Sequence, residues 1–280
     1  MMKSRPSIIV ILAALVLVAV LIVALLGNVF TGHAVTSQDL LNRLKPPAFL
    51  GGPEKYPLGT DRIGRDMVAR LVAGLQMSLS VALAGTLIGA VFGTLIGFIA
   101  AHFRGWVEET LMMIVDFQAS LPFILIALTL LAFFGNSMTL FVILMGLFGW
   151  ETYARLARGV VLSASSQPYA RAVVALGAHP LQLYVKHILP NVAAALIVQV
   201  TLTFPQIILL ETSLSFLGLG IQPPNTSLGQ ILGDGRDYLS TAWWISVWPG
   251  VLIFVITLSM SILGDALRDR LDPMLKTRKS

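Results

Sequence analysis

Six stretches of mostly apolar residues follow one another along the chain, separated by short polar segments. A helix needs about 20 such residues to cross the hydrocarbon core of a bilayer, so each stretch predicts one transmembrane helix. The stretches cover residues 8–30, 76–101, 110–134, 138–160, 189–211 and 243–264. They leave no room for a soluble domain. The pattern therefore predicts an all-α, polytopic membrane protein with six transmembrane helices.

The composition agrees with a membrane protein. Of the 280 residues, 56% are hydrophobic and 12% are charged, against about 25% charged residues in a soluble domain. The mean hydropathy is +0.83. The chain has no cysteine, which excludes disulfides, thiolate metal sites and thiol nucleophiles.

The first apolar run predicts an uncleaved signal anchor. It follows Lys3 and Arg5 and stays uncharged from Ser7 to about Gly32. A signal-peptide core spans only roughly 7–15 residues, so a run of this length is expected to cross the bilayer. A cleaved signal peptide is the alternative.

The positions of Lys and Arg predict the orientation of the spans. With the N-terminus inside, 12 of the 19 basic residues lie in inner segments, as the positive-inside rule requires. The outer segments 31–75 and 212–242 hold the other seven, balanced by seven acids in and beside them. Six of these seven bases lie in segment 31–75, which weakens the asymmetry. Both termini and the loop 161–188 are then cytoplasmic.

The sequence of the inner loop predicts a short helix, with residues suited to begin it and to end it. Ser165 or Ser166 can cap its start, Pro168 suits its first turn, and Gly177 supplies the left-handed residue that ends it. One face, at i, i+3, i+4, i+7 spacing, carries Tyr169, Ala172, Val173 and Leu176. Such an exposed apolar face fits a groove in a partner protein. Alternatively, the helix lies on lipid headgroups.

The second predicted span carries a glycine at every fourth position. These residues are Gly85, Gly89, Gly93 and Gly97. A strip of this kind lets another helix approach closely in lipid. We therefore assign it to helix packing, within the chain or with a second subunit.

Polar residues on the fifth span form a stripe along one helical face. The stripe consists of Gln199, Thr203 and Gln206. Polar groups are costly in lipid and turn inward, so the stripe lines a polar path for a solute or makes hydrogen bonds between helices. Pro205 within it predicts a kink.

Two acids lie inside predicted spans, where ionisable residues are functional candidates. Asp116 on the third span is a candidate for the translocation path, with a structural or snorkelling role as the alternative. Glu151 on the fourth span is expected near the inner end, with Arg155 one turn later as its partner.

The chain carries no motif for catalysis or cofactor binding. It lacks a phosphate-binding loop, a His-Glu-x-x-His motif and a Gly-x-Ser-x-Gly element. Its four histidines show no metal-ligand spacing. We therefore expect no catalytic, cofactor-binding or metal-binding residue. An ion-driven secondary transporter and an intramembrane enzyme remain alternatives; the first is often built from inverted repeats, and no clear repeat is seen.

Several blocks of the sequence resemble one family in order. The inner loop, with Gly177 and the Ile-Leu-Pro of residues 188–190, resembles the coupling loop, or EAA loop, of bacterial ATP-binding-cassette importer permeases. Other blocks resemble the C-type permease subunit of its dipeptide/oligopeptide/nickel branch. These are LGTDRIGRD (58–66), ETSLSFLGLG (211–220) and GDALRD with LDP (264–269 and 271–273). With residues 150–158 they cover the chain nearly end to end.

The resemblance implies a type I importer permease fold with a cytoplasmic coupling helix in the bacterial inner membrane. Residues 1–75 would be the anchor and an outer segment, and residues 76–280 a five-helix core with the coupling loop at about 161–190. The ATPase-coupling residues would be Tyr169, Arg171, Ala172, Val173, Leu176, Gly177 and Leu181. The translocation path would include Gln199, Thr203, Gln206 and Asp116.

The implied partners are a homologous B-type permease, two cytoplasmic ATPases that bind ATP and magnesium, an outer solute-binding protein and the lipid bilayer, but no nucleic acid. Di- or oligopeptides are the expected substrates; nickel chelates, glutathione and sugar-like solutes are alternatives within the branch. No enzymatic activity is expected of this subunit.

The sequence departs from the family pattern at two places. Where the coupling loop usually reads Glu-Ala-Ala, this chain has Arg171-Ala172-Val173. The family's acid is thought to help dock the ATPase, so we expect docking here to use a different charged partner. The second departure is Thr226-Ser227-Leu228-Gly229 where Pro-Ser-Trp-Gly is common.

Overall fold

The computed structural model describes residues 7–30, 36–179 and 182–271. Ten α-helices lie within these ranges. They are α1 (Ile8–Phe30), α2 (Met67–Phe103), α3 (Gly105–Ser120), α4 (Phe123–Phe134), α5 (Met138–Leu147), α6 (Trp150–Ser165), α7 (Pro168–Ala175), α8 (Leu189–Phe216), α9 (Leu228–Asp234) and α10 (Trp244–Leu271). A π-helical turn at Leu183–Ile188 leads directly into α8.

Five helical segments of the described chain are long and apolar enough to cross a membrane. They are Ile8–Gly27, Met67–Phe103, Met138–Ser165, Leu183–Phe216 and Trp244–Leu271. Helices α3 and α4 meet the same criterion together, but they are bent by 85°. With that pair counted as one span, the structure agrees with the six predicted spans, and the all-α fold class is confirmed.

Two predicted spans are broken rather than continuous, and local sequence explains both breaks. Leu121 is extended (φ −103°, ψ 137°) because the following Pro122 excludes the helical region for the residue before it. Between α5 and α6, Phe148 is extended and Gly149 is left-handed (φ 77°), a conformation that favours glycine. Each interruption falls within a stretch that the hydrophobic pattern predicts as a single helix.

Helix α2 is the longest helix and connects the two ends of the bundle. Its 37 residues correspond to about 55 Å. Near Met67 it packs beside α9, which we call the α9 end. Near Phe103 it packs beside α7 and the π-helical turn, in one cluster with Ala170 and Leu183. We call this the α7 end.

The glycine strip of α2 lies against α5 and α6 of the same chain. A β-carbon on Gly85 would lie 2.8 Å from Met145 Cβ, and one on Gly97 would lie 2.5 Å from the carbonyl oxygen of Ala154. A β-carbon on Gly93 would clash with the Trp150 carbonyl. The strip therefore lets α2 approach these two helices of its own chain, rather than being left free for a second subunit.

Segment 36–66 is fixed to the α9 end by a buried ionic network. The Arg70 side chain is 1% exposed and donates to Asp61 Oδ2 and to Asp234 Oδ2, each at 2.9 Å. Asp61 also accepts from the backbone amides of Ile63 and Arg65. Removing one member of such a buried pair leaves the other charge uncompensated. The block 58–66 thus holds the segment against α2 and α9.

A second buried network joins α2, α8 and α9. Glu211 is fully buried and accepts hydrogen bonds from Ser78 Oγ (3.0 Å) and Ser215 Oγ (2.7 Å). Ser227 Oγ caps α9 by accepting from the Gln230 amide. These bonds account for Glu211 and Ser215 of the block 211–220.

The glycine strip predicts a large difference between two Gly→Ala substitutions. Gly93→Ala should lower the free energy of unfolding by about 1–3 kcal/mol, because the new methyl overpacks the contact with α6. Gly159→Ala is the matched control, because Gly159 lies in α6 with no neighbouring atom within 4 Å of an added β-carbon; its helix propensity should stabilise the protein by up to about 1 kcal/mol. The midpoint of thermal unfolding in detergent measures both, and equal midpoints would contradict the packing.

Candidate translocation path and coupling surface

The two broken spans meet at one level of the bundle. The Phe123 and Phe148 rings lie 5.4 Å apart, and Gln118 Nε2 donates to the carbonyl of Leu147 at 3.0 Å. A freed backbone carbonyl in an apolar environment needs such a partner. Thr203 of α8 approaches Gly149 at the same level. We call this region, residues 121–122 and 147–149 with Thr203, the central break.

Charged pairs connect α3 to α6 between the α7 end and the central break. Arg158 pairs with Glu108, and Arg155 Nη1 lies 3.2 Å from Asp116 Oδ1. Arg155 and Arg158 share one face of α6 with Glu151, at i, i+4, i+7 spacing. The expected pairing of Arg155 with Glu151 is therefore wrong, because Asp116 on the neighbouring helix takes that place.

The Asp116–Arg155 pair is exposed although it lies within spanning helices. The side chains of Asp116 and Arg155 are 66% and 46% exposed in the isolated chain. Charged groups in a membrane face water or another protein surface rather than lipid. We therefore expect this face of α3 and α6 to meet water or another protein rather than lipid.

Glu151 lies just after the central break, in the first turn of α6. It stands 13 residues after Met138 and 14 before Ser165, near the middle of the segment Met138–Ser165, so its expected place near the inner end is wrong. Its Oε2 atom is buried and makes no hydrogen bond within the described part of the chain. The helix N-terminus favours a carboxylate there.

The polar stripe on α8 is divided between two environments. Thr203 is 2% exposed and packs toward α6, and Gln199 Nε2 donates to its hydroxyl at 3.1 Å. Gln206 is exposed, on the same side of the helix as Leu209 and Ser213. Of the three residues, Gln206 is exposed on the surface of the chain, whereas Thr203 lies in a helix contact.

The coupling surface is built on α7. Ala170 is 1% exposed and Val173 packs on the same apolar cluster, so this side of α7 faces the bundle. Tyr169 is 37% and Leu176 87% exposed, and both remain available to a partner. Val173 therefore belongs to the inner side rather than to the free face. Ala170, one turn before Val173, is the most buried contact of α7 with the bundle among the described residues, and the hydrophobic periodicity does not identify it.

The two ends of α7 differ in how well the sequence predicts them. Gly177 is left-handed (φ 81°), and the amide of Ala178 bonds to the carbonyl of Val173, as in a glycine-terminated helix. The predicted serine cap is wrong: Ser165 belongs to α6, and Ser166 Oγ donates to the Ser163 carbonyl.

The remaining predicted coupling residues are placed in part. Arg171 and Ala172 are exposed, whereas Leu181 lies outside the described residues.

An apolar cluster ties α7 to three spanning helices. Its buried members are Ala101, Val161, Ala170, Leu183, Ile188 and Val192, which come from α2, α6, α7, the π-helical turn and α8. A displacement of α7 would therefore act on all three spans together. Within the described ranges, no group of three or more His, Asp and Glu side chains is placed to hold a metal ion.

Comparison with known proteins assigns the family. The sequence model of the binding-protein-dependent transport system inner membrane component matches residues 93–277. The chain is 38% identical to the di/tripeptide transport system permease protein DppC of Pseudomonas aeruginosa, over 83% of this chain and 77% of the relative. It is 33% identical to the dipeptide transport system permease protein DppC of Bacillus subtilis, over 93% and 80%.

A solved structure has the same fold. The MetNI methionine ABC transporter in inward-facing conformations matches with a TM-score of 0.59 and 21% identity, over 74% of this chain and 98% of the matched chain. The family match, the relatives and the apolar helices together make this a multi-pass inner-membrane protein. The chain belongs to the family of binding-protein-dependent transport system inner membrane components.

Proposed function

We propose that this chain is the transmembrane permease subunit of an ATP-driven, binding-protein-dependent importer of di- or oligopeptides. The observation that carries the proposal is α7: a short helix anchored by Ala170 on three spanning helices, with Leu176 directed outward. The peptide specificity rests on the relatives, which are named as peptide permeases. Nickel chelates, glutathione and sugar-like solutes remain the alternative cargo.

The two ends of the bundle would then meet different partners. The α7 end and both termini face the cytoplasm, where two ATPases hold ATP and magnesium and contact α7. Segment 36–66 and α9 face the outer solute-binding protein. A homologous B-type permease completes the path. Arg171 is exposed and takes part in none of the ion pairs among the described residues, so its charge is not neutralised by another described residue of this chain.

The path would run along the exposed face of α3 and α6 that carries Asp116 and Arg155, with the exposed Gln206 of α8 as a further lining group. ATP-driven closure of the ATPases moves α7, and the apolar cluster transmits this movement to α2, α6 and α8. Such a change requires ligands that bind the two conformations with different free energies. The Asp116–Arg155 pair offers one negative and one positive group, which suits the ammonium and carboxylate of a zwitterionic peptide.

The direct test is to purify the chain from native membranes with its partners and reconstitute the complex in liposomes. We expect recovery of a second permease and ATPase subunits, and uptake of a dipeptide that requires ATP and the binding protein. Recovery of the chain alone, with uptake driven by an ion gradient, would contradict the proposal and favour a secondary transporter.

The coupling surface gives a second prediction. Leu176→Asp should lower binding-protein-stimulated ATPase activity and uptake at least about tenfold, a loss of about 1.4 kcal/mol of docking energy, because it places a carboxylate in an apolar contact. Arg171→Glu should have a smaller effect. Leu176→Met, which keeps an apolar side chain, is the matched control. Wild-type uptake and ATPase activity in the Leu176→Asp complex would exclude docking through this face.

The charged pair gives a third prediction through charge reversal. The exchange Asp116→Arg with Arg155→Asp keeps an ion pair, which at an exposed site contributes only about 0–1 kcal/mol to stability. We expect the exchanged complex to assemble normally but to take up a zwitterionic dipeptide poorly, because both charges are misplaced for the solute. The control is the same exchange at Glu108 and Arg158, which should leave uptake at the wild-type level. Wild-type uptake after the exchange at Asp116 and Arg155 would mean that this pair only holds α3 against α6.

A further inference from the structure

A basic pocket lies at the α7 end, beside the coupling helix. It has a volume of about 390 Å³ and is formed by the ends of α2 and α6, by α7 and by the π-helical turn. Its polar lining comes from His102, Arg104, Ser165, Arg171 and Tyr184. One water occupies about 30 Å³ in the liquid, so the pocket has room for a group much larger than a single water.

The charge of this pocket is positive and uncompensated. Arg104 and Arg171 both line it, and none of the described residues contributes a carboxylate to the lining. None of the ion pairs within residues 7–30, 36–179 and 182–271 involves either arginine. Two guanidinium groups that share an opening without a counter-charge favour an anion with several acceptor oxygens.

The pair His102–Tyr184 supplies a further hydrogen-bond donor. The Nδ1 atom of His102 lies 3.0 Å from the Tyr184 hydroxyl oxygen. If the hydroxyl donates to Nδ1, the Nε2–H group of the neutral ring stays free; if Nδ1–H donates, the hydroxyl hydrogen stays free. In either tautomer the pair keeps one donor for a third group.

Arg104 occupies a backbone position that suits glycine. Its φ of 50° and ψ of −171° lie in a region that is essentially reserved for glycine. The chain conformation at the α2–α3 junction therefore does not explain an arginine here. A role for its side chain in the adjoining pocket does.

Exposed aromatic residues flank Arg104 at the level of the pocket. Phe103 is 64% and Trp106 is 79% exposed, and tryptophan is typical of the interface between membrane and water. Arg104, which lines the pocket, therefore lies at the level of the lipid headgroups. Basic pockets between helices on the cytoplasmic side are known to hold anionic headgroups.

We propose that this pocket binds the phosphate headgroup of an anionic phospholipid of the cytoplasmic leaflet. Arg104 and Arg171 contact the phosphate, and the His102–Tyr184 pair donates to it. Because Arg171 is on α7 and Arg104 ends α2, the lipid joins the coupling helix to a spanning helix. Coupling between ATPase and permease then depends on anionic lipid. The assignment to this leaflet rests on the orientation in the proposed function.

The test uses the complete importer complex in nanodiscs of phosphatidylcholine with or without phosphatidylglycerol. Bound phosphatidylglycerol is measured by native mass spectrometry, and ATPase activity is measured in the same discs. Arg104→Gly removes the charge while keeping a residue suited to this backbone conformation. Arg62→Gln is the matched control, because Arg62 is an exposed arginine at the α9 end.

We expect Arg104→Gly to retain about fivefold less phosphatidylglycerol than wild type, and Arg62→Gln to retain as much as wild type. ATPase activity should rise with phosphatidylglycerol in wild type but not in Arg104→Gly, and the two should be equal in phosphatidylcholine alone. Equal lipid retention in Arg104→Gly and wild type would overturn the site.

Free phosphate is the other source of the same chemistry. Inorganic phosphate added to phosphatidylcholine discs should not reproduce the rise in ATPase activity; if it does, the lipid assignment is overturned. Lipid retention does not depend on transport. A complex that binds phosphatidylglycerol through Arg104 but shows no ATP-dependent uptake would contradict the proposed function and leave the pocket assignment intact.

Discussion

The close contact of α2 with α5 and α6 is the constraint on which the rest of this structure depends. In lipid, helices gain little from hydrophobic burial against one another, so dispersion contacts between closely approaching backbones hold them together. The strip from Gly85 to Gly97 permits that approach. Because α2 extends from segment 36–66 to α7, its contact with α6 also fixes the position of both ends of the bundle.

The two ends are held by different chemistry. At the α9 end, Arg70 and Glu211 lie in buried networks of ionic and directional hydrogen bonds. At the α7 end, the contacts around Ala170 and Ile188 are apolar. Between them, the central break places two interrupted spans beside α8. The chemistry that holds the helices together therefore changes from polar to apolar along the length of α2.

The hydrophobic pattern predicts most of this fold because span length and glycine spacing are local properties. The number of spans and the end of α7 at Gly177 follow from such rules, and the ordered motifs predict the family. What the pattern misses depends on contacts between distant residues. Arg155 pairs with Asp116 across helices instead of with Glu151 along its own helix. Spacing along one helix likewise does not predict that Thr203 is buried and Gln206 exposed, because burial depends on the neighbouring helices.

The residues that break the two spans are present in the sequence, but the apolar residues around them hide the breaks from the hydropathy pattern. Pro122 and Gly149 interrupt helices that a hydropathy window treats as continuous. The predicted serine cap is wrong because Ser166 Oγ donates to the carbonyl of Ser163 in α6 instead of capping α7. The candidate site is built at these interruptions, where hydrophobic periodicity is least informative.

The buried ion pairs of Arg70 resist movement of segment 36–66 and α9 relative to α2. The bonds from Arg70 to Asp61 and Asp234 require fixed distances and angles, whereas apolar surfaces can slide past one another with little change in buried area. Displacement of one helix against another therefore costs less at the α7 end than at the α9 end. In the proposed transport cycle, segment 36–66, α9 and the adjoining part of α2 would move as one rigid unit.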